Sequence, residues 1–94
     1  MVIVRRKVTI KNKQGLHARP AALFVRLASK FESEILIQRG NEEVNGKSIM
    51  GILMLGCEKG STIELVAKGK DAERAVLELS QLLTKGLMES EKET

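Results

Sequence analysis

Apolar side chains in this chain recur with two different periods, and the two periods alternate along its length. A period of two residues is typical of a half-buried strand, whereas spacings of three and four residues are typical of one helix face. We predict strands at 2–10, 34–38, 42–45 and 61–67, and helices from 20 to 31, from 48 to about 55 and from 72 to 85. The predicted order is therefore βαββαβα.

This order predicts an α+β fold. Each predicted helix has one apolar face, so an antiparallel sheet covered by helices on one face buries them all. Asp71 is expected to cap the last helix at its start and Gly86 to end it. Residues 1–94 are expected to form a single domain, with 89–94 as a frayed, charged tail.

The composition limits the class of protein. Hydrophobic residues make up 43% and charged residues 30%, as in an ordinary soluble domain. No apolar run approaches the roughly 18 residues of a membrane span, and the opening apolar patch precedes its charges, the reverse of a signal peptide. We therefore expect a cytoplasmic protein without membrane insertion. One cysteine and one histidine predict neither a metal site nor a cofactor, and Cys57 is expected to be a small buried residue.

The formal net charge is +4, and its distribution along the chain is uneven. No acidic residue precedes Glu32, so the end of the molecule built from this part should carry positive potential that attracts phosphate or acidic partners. The basic residues before Glu32 are Arg5, Arg6, Lys7, Lys11, Lys13, Arg19, Arg26 and Lys30.

The segment 15–21, GLHARPA, contains the only histidine and the only proline. Proline suits the first turn of a helix, so Pro20 places His17 at or just before the helix start. There the backbone N–H groups of Ala18 and Arg19 and the positive end of the helix dipole face an anion attached to the imidazole. The segment predicts a phosphate on His17.

The segment GLHARPA, followed by NGKSIMG at 45–51, resembles the HPr family of phosphocarrier proteins of the bacterial phosphotransferase system, and the resemblance extends from about residue 2 to 86. It implies an open-faced β-sandwich, with a four-stranded antiparallel sheet of order 1-4-2-3 and three helices on one face. It also implies that Nδ1 of His17 accepts a phosphoryl group from enzyme I, which is charged by phosphoenolpyruvate, and passes it to an enzyme IIA domain.

The chemistry of such a carrier requires few residues. An imidazole accepts a phosphoryl group through a neutral nitrogen, and Arg19 can hold phosphate oxygens through its forked guanidinium, with the Ala18 amide as a further donor. Phosphoryl transfer depends on positioning and charge stabilisation, which explains why the segment contains no acid. The protein is expected to be a stoichiometric carrier rather than an enzyme. From composition alone, the favoured interpretation of His17 is a loop residue near a helix cap with no function; the match of Gly15, Arg19 and Pro20 and the second motif favour the carrier instead.

Ser48 precedes a predicted helix and is expected to be its N-cap. In one branch of the family an ATP-dependent HPr serine kinase phosphorylates the matching serine, so the resemblance makes Ser48 a candidate regulatory site. It also implies that Ile49, Met50 and Leu53, together with Arg26, contact partner proteins. The other interpretation of Met50 and Leu53 is that they belong to the core.

Two nucleic-acid or nucleotide interpretations fail. The sequence GKS at 46–48 resembles the end of a P-loop, but the glycine required five residues before Gly46 is Asn41. Sheets that bind RNA stack bases on aromatic side chains, whereas the two aromatic residues, Phe24 and Phe31, lie on the first helix stripe. We expect no nucleic-acid partner.

Two questions stay open at this level. The chain could be an HPr-like regulatory adaptor that acts by docking and Ser48 phosphorylation, although an adaptor has no need of His17 and Arg19. The pathway could serve sugar uptake or a nitrogen-related relay. Gly46 stands where some sugar-transport members have a bulkier apolar residue, which slightly favours the nitrogen-related relay.

We expect the protein to be a monomer.

Overall fold

The computed structural model describes residues 1–13 and 15–86, and it confirms the predicted α+β fold. The helices and strands in chain order are β1 (Ile3–Thr9), α1 (Ala18–Ala28), β2 (Glu34–Arg39), β3 (Glu42–Asn45), α2 (Ile49–Leu55), β4 (Thr62–Lys68) and α3 (Ala72–Gln81), followed by a π-helical turn, Leu82–Gly86. The four strands form one antiparallel sheet of order β1-β4-β2-β3. The predicted tail at 89–94 lies outside the described residues.

The alternation of side chains explains how the sheet supports a core. Strand β4 pairs with β1 and β2, so Ile63, Leu65 and Ala67 share one face with Val8 and Ile37. All five are buried beneath the helices. Removing each large aliphatic side chain from water contributes about 1.5–3 kcal/mol to folding.

One residue of β4 departs from the predicted alternation. The alternation puts Val66 on the open face of the sheet, on the side of β4 opposite Ile63 and Leu65, but only 1% of its surface is accessible. It lies opposite Arg5 of β1 and Leu36 of β2. The open face of the sheet therefore also contains a buried apolar side chain.

The helices cover the other face with the apolar stripes that the sequence predicts. Phe24 and Ala28 of α1, Ile52 of α2 and Leu79 of α3 are fully or almost fully buried in the same core. Phe31 is buried too, but α1 ends before it, and its amide donates to the Ala28 carbonyl at 3.1 Å from the following turn. Among the described residues, no helix is both long and apolar enough to cross a bilayer.

Asp71 lies at the start of α3 as predicted, but its carboxylate has another role. It accepts hydrogen bonds from the Ser33 hydroxyl, from the Glu32 amide at 2.9 Å and from the Ser33 amide at 3.0 Å. These bonds, the Ser33 hydroxyl first, lower the pKa of Asp71 to about 2. Asp71 thus ties α3 to the turn between α1 and β2. The α-helical part of α3 ends at Gln81, and the π-helical turn extends to Gly86.

Candidate functional site

The loop before α1 is fixed against the segment that follows α2. The Leu16 amide donates to the Cys57 carbonyl at 2.9 Å, and the Leu16 side chain is buried. Gly15 has φ +63°, and a Cβ placed there would lie 2.8 Å from Cα of Glu58. Only glycine permits this approach. Cys57 is buried as predicted, and burial raises the pKa of its thiol.

His17 follows this loop and is the N-cap residue of α1. Its backbone is extended, with φ −84° and ψ −167°, and its carbonyl accepts the Ala21 amide at 2.9 Å. Within the described part of the chain, the imidazole makes no capping hydrogen bond, and 59% of the side chain is exposed. Pro20 lies in the first turn, as predicted, and its side chain is buried. The ring therefore faces solvent at the end of a helix where the dipole favours negative charge.

Two residues of the predicted phosphate site lie in the first turn of α1. Ala18 and Arg19 are both exposed. The amide of Ala18 belongs to the turn for which a helix supplies no acceptor of its own. Both residues that directly follow His17 are therefore at the solvent-exposed start of α1.

The structure also brings an acid to the histidine, which the sequence analysis did not anticipate. The Glu58 carboxylate oxygen Oε1 lies 3.8 Å from Nε2 of His17, and both side chains are largely exposed. The potential around His17 is thus not uniformly positive, although every charge before Glu32 is basic. The contact depends on the approach of the 57–58 backbone to Gly15, so the spacing of residues along the chain carries no signal for it.

Ser48 is the N-cap of α2, as predicted. Its hydroxyl oxygen accepts the Gly51 amide at 3.1 Å, and its carbonyl accepts the Ile52 amide at 3.1 Å. Glycine is a poor helix former, but close packing explains its presence at position 51, because a Cβ there would lie 3.2 Å from Cβ of Val44. The short helix is therefore capped by Ser48 and held close to β3.

The predicted partner-binding residues lie on two adjacent helices, α1 and α2, which pack against each other. Ile49 and Met50 are exposed on α2, Met50 by 66%, whereas Leu53 is half-buried against the core. Arg26 is exposed in the last turn of α1, nine residues beyond His17 and thus about 13 Å along the helix. Three of the four predicted partner-binding residues therefore have exposed side chains on these two helices, and Leu53 is the exception.

One exposed apolar residue on α2 was not predicted from the sequence. Met54 is 76% accessible, more than Met50 four residues earlier. Residues at this spacing are neighbours on a helix surface, so the two methionines form one apolar patch. The sequence shows the spacing of Met50 and Met54, but Leu53 fits an apolar stripe on α2 equally well. Only the packing of the folded protein shows that Met54 is exposed and that Leu53 contacts the core.

Gly46 has a structural reason that does not depend on the pathway. Its amide donates to the Ile35 carbonyl at 2.7 Å, and a Cβ would lie 2.6 Å from Cγ2 of Ile35. A bulkier residue at this position would require Ile35 to move. Close packing against Ile35 therefore accounts for the glycine at position 46, whichever pathway the protein serves.

The fold and this site define a small α+β protein that presents an exposed histidine at a helix start. Comparison with known proteins identifies its family. Residues 4–85 match the family model described as the PTS HPr component phosphorylation site. The chain belongs to the HPr family of phosphocarrier proteins of the phosphotransferase system.

Individual relatives agree with this assignment. The HPr-like protein Crh of Halalkalibacterium halodurans is 46% identical, with 88% of this chain and 99% of that protein covered. The phosphocarrier protein HPr of Neisseria meningitidis is 42% identical, with 86% and 91% covered. The crystal structure of HPr from Bacillus anthracis is 42% identical and superposes with a TM-score of 0.85, covering 88% and 99%. The predicted family, fold and strand order are confirmed.

Proposed function

We propose that this protein is a stoichiometric phosphoryl carrier of the cytoplasm. Enzyme I, charged by phosphoenolpyruvate, donates the phosphoryl group to Nδ1 of His17, and an enzyme IIA domain accepts it. The observation that supports this most strongly is the exposed imidazole of His17 at the start of α1, in a chain that matches the phosphorylation-site family over 4–85.

The transfer forms a nitrogen–phosphorus bond on His17 while the bond between the donor and the phosphorus breaks. Nδ1 of His17 attacks the phosphorus, and the bond to the donor breaks with its electron pair returning to the donor. The new phosphoryl group carries anionic oxygens, which the Ala18 amide, the Arg19 guanidinium and the helix dipole stabilise. The same groups act in the reverse direction when the group leaves for enzyme IIA, so no cofactor is required.

Docking of both partners uses the apolar surface of α2. Ile49, Met50 and the edge of Leu53 supply contact area, and Arg26 contributes a charge for acidic partners. We add Met54 to this surface because it is exposed beside Met50. Since the apolar residues extend from one side of a single chain, the carrier is proposed to work as a monomer.

Ser48 is proposed as the regulatory residue, modified by an ATP-dependent serine kinase. A phosphate there adds about −1.5 to −2 charges directly before Ile49 and Met50. A charge at an apolar docking surface disfavours burial of that surface. Calorimetric titration of enzyme I into the phosphoserine form and the unmodified form measures the loss of affinity.

A regulatory adaptor is the second candidate. It is favoured by the 46% identity to a protein named HPr-like rather than phosphocarrier. An adaptor would dock through α2 and respond at Ser48 without carrying a phosphoryl group. The intact pair of His17 and Arg19 favours the carrier, because docking alone requires neither.

Phosphoryl transfer from enzyme I separates the two functions. The purified chain is incubated with enzyme I and phosphoenolpyruvate, and its intact mass is measured. For the carrier we expect the wild type to gain one acid-labile phosphoryl group and His17→Ala to gain none, a complete loss of labelling. Unlabelled wild type, with enzyme I shown to be active on a known carrier, would favour the adaptor.

A further inference from the structure

We propose that Glu58 is a positioning residue for His17. It holds the imidazole proton on Nε2, so that the lone pair needed for attack is on Nδ1. This inference rests on the proposed phosphoryl transfer, and it starts from the 3.8 Å separation between Glu58 Oε1 and His17 Nε2.

The backbone of Glu58 is held firmly in place. Its amide donates to the Ser61 hydroxyl at 3.0 Å, and its carbonyl accepts the Ser61 amide at 3.0 Å, which closes a tight turn. One residue earlier, the Cys57 carbonyl accepts the Leu16 amide at 2.9 Å, and Leu16 directly precedes His17. The two side chains therefore extend from backbone segments that are bonded to each other.

The position of the carboxylate selects one tautomer of the neutral imidazole. In a neutral histidine one ring nitrogen carries the proton and the other the lone pair, and a hydrogen-bond acceptor fixes which is which. At 3.8 Å the two atoms are at ion-pair rather than hydrogen-bond distance, so the proposed role requires the exposed Glu58 side chain to move closer to the ring. An ionised carboxylate can only accept, and it then favours the proton on the nitrogen that it faces, Nε2. Nδ1 is then the nucleophile before any partner has bound.

The same carboxylate acts during the transfer. When Nδ1 forms its bond to phosphorus, the Nε2 proton stays on the ring, which becomes positively charged, and the bonding pair of the donor returns to the donor. Glu58 lies beside Nε2 and stabilises this positive charge, as a carboxylate stabilises the imidazolium in a catalytic triad. Glu58 is on the Nε2 side of the ring, away from Nδ1, to which the phosphoryl group is bonded.

Two substitutions separate the tautomer from the charge. Glu58→Ala removes both the acceptor and the charge, whereas Glu58→Gln keeps an acceptor oxygen and loses the charge. The His17 tautomer is measured from ¹⁵N shifts of the ring nitrogens, at a pH where the imidazole is neutral. The rate of labelling by enzyme I is measured on the same samples.

We expect the Nδ1–H tautomer to increase in Glu58→Ala and to stay near the wild-type fraction in Glu58→Gln. Both variants should be labelled more slowly, by about two- to fivefold, the range for one exposed ion pair. Glu73→Ala is the matched control, because it removes one exposed carboxylate far from His17. Glu73 is two residues from Asp71, which binds the turn after the C-terminal end of α1. His17 lies at the N-terminal end of α1, about 16 Å along the helix from that turn.

The outcomes distinguish this inference from the carrier function. A wild type that is labelled while Glu58→Ala keeps both the wild-type tautomer and the wild-type rate overturns the role of Glu58 and leaves the carrier intact. A tautomer change without a change in rate also overturns the role in transfer. If wild type is not labelled at all, the carrier proposal fails, and the tautomer measurement alone still decides whether Glu58 positions the ring.

Discussion

The starts of α1 and α2 present the same backbone problem and solve it differently. Both N-cap residues have extended backbones, and each carbonyl accepts the first intrahelical hydrogen bond. The Ser48 hydroxyl also accepts the Gly51 amide, whereas the His17 imidazole makes no capping bond among the described residues. The start of α2 is thus capped by its own side chain, whereas the side chain at the start of α1 makes no such bond within the described part of the chain.

The difference separates stability from function along the chain. A capping side chain contributes about 1 kcal/mol to a helix, and α1 lacks this contribution where its histidine faces solvent. In its place, α1 is positioned from behind by the Gly15–Leu16 loop on the Cys57 backbone. We infer that the loop supports the open helix start, and three perturbations test this comparison.

The largest expected effect is that of Gly15→Ala. The substitution places a Cβ 2.8 Å from Cα of Glu58 on a residue with φ +63°. The left-handed conformation costs a non-glycine residue about 1–2 kcal/mol, and overpacking adds about 1–3 kcal/mol. We expect the free energy of unfolding in urea to fall by about 2–5 kcal/mol, and labelling of His17 to fall with it because the loop moves.

Gly40→Ala provides the control for conformation alone. Gly40 has φ +60°, and no described atom lies within 4 Å of the Cβ position. Its substitution should cost only the conformational part, about 1–2 kcal/mol. Equal losses for the two variants would mean that the contact behind α1 contributes nothing.

The next effect compares the two caps directly. Ser48→Ala removes the acceptor of the Gly51 amide and should lower the free energy of unfolding by about 1 kcal/mol. His17→Ala removes an exposed side chain without a capping bond and should change it by less than about 0.5 kcal/mol. Denaturant titrations of both variants under the same conditions measure the difference. A loss as large at His17 as at Ser48 would show that the imidazole stabilises its helix after all.

Sequence reasoning predicted those parts of this molecule that depend on neighbours along the chain. The periodicities predicted the order of strands and helices. Pro20 predicted where α1 starts, and Ser48 was predicted correctly as the N-cap of α2. The strand order required the family resemblance, because alternation fixes faces and not neighbours. The contact of Glu58 with His17 was invisible, since it depends on how two distant loops approach each other.

The burial of Val66 and the partners of Asp71 were missed for the same reason. Val66 is buried on a central strand between β1 and β2, and a period-two pattern says only which face a residue occupies. Asp71 has the sequence environment of an N-cap, but the Ser33 hydroxyl and amide lie within reach of its carboxylate and bind it instead. Local patterns thus identify where a helix begins but not which groups its first residue bonds.

The smallest expected effect concerns this third helix start. The hydrogen bonds lower the pKa of Asp71 from its ordinary value of 3.8 to about 2 in the folded protein. Between these values the unfolded chain binds more protons than the folded one, so stability falls as the pH falls. The contribution of Asp71 is complete above 3.8 and is lost as the pH falls toward and through 2.

Thermal unfolding as a function of pH measures this contribution. Asp71→Asn removes the titratable group at position 71. The difference in Tm between wild type and this variant should therefore narrow as the pH falls from 3.8 toward 2. The effect should be smaller than that of a lost cap, because a protonated carboxyl keeps an acceptor oxygen for the Ser33 amide. Glu73→Gln, two residues further on, is the control for the loss of one exposed carboxylate from the same helix start. If the Tm difference between wild type and Asp71→Asn changed with pH no more than the difference for this control, the carboxylate charge would not be what ties α3 to the turn after α1.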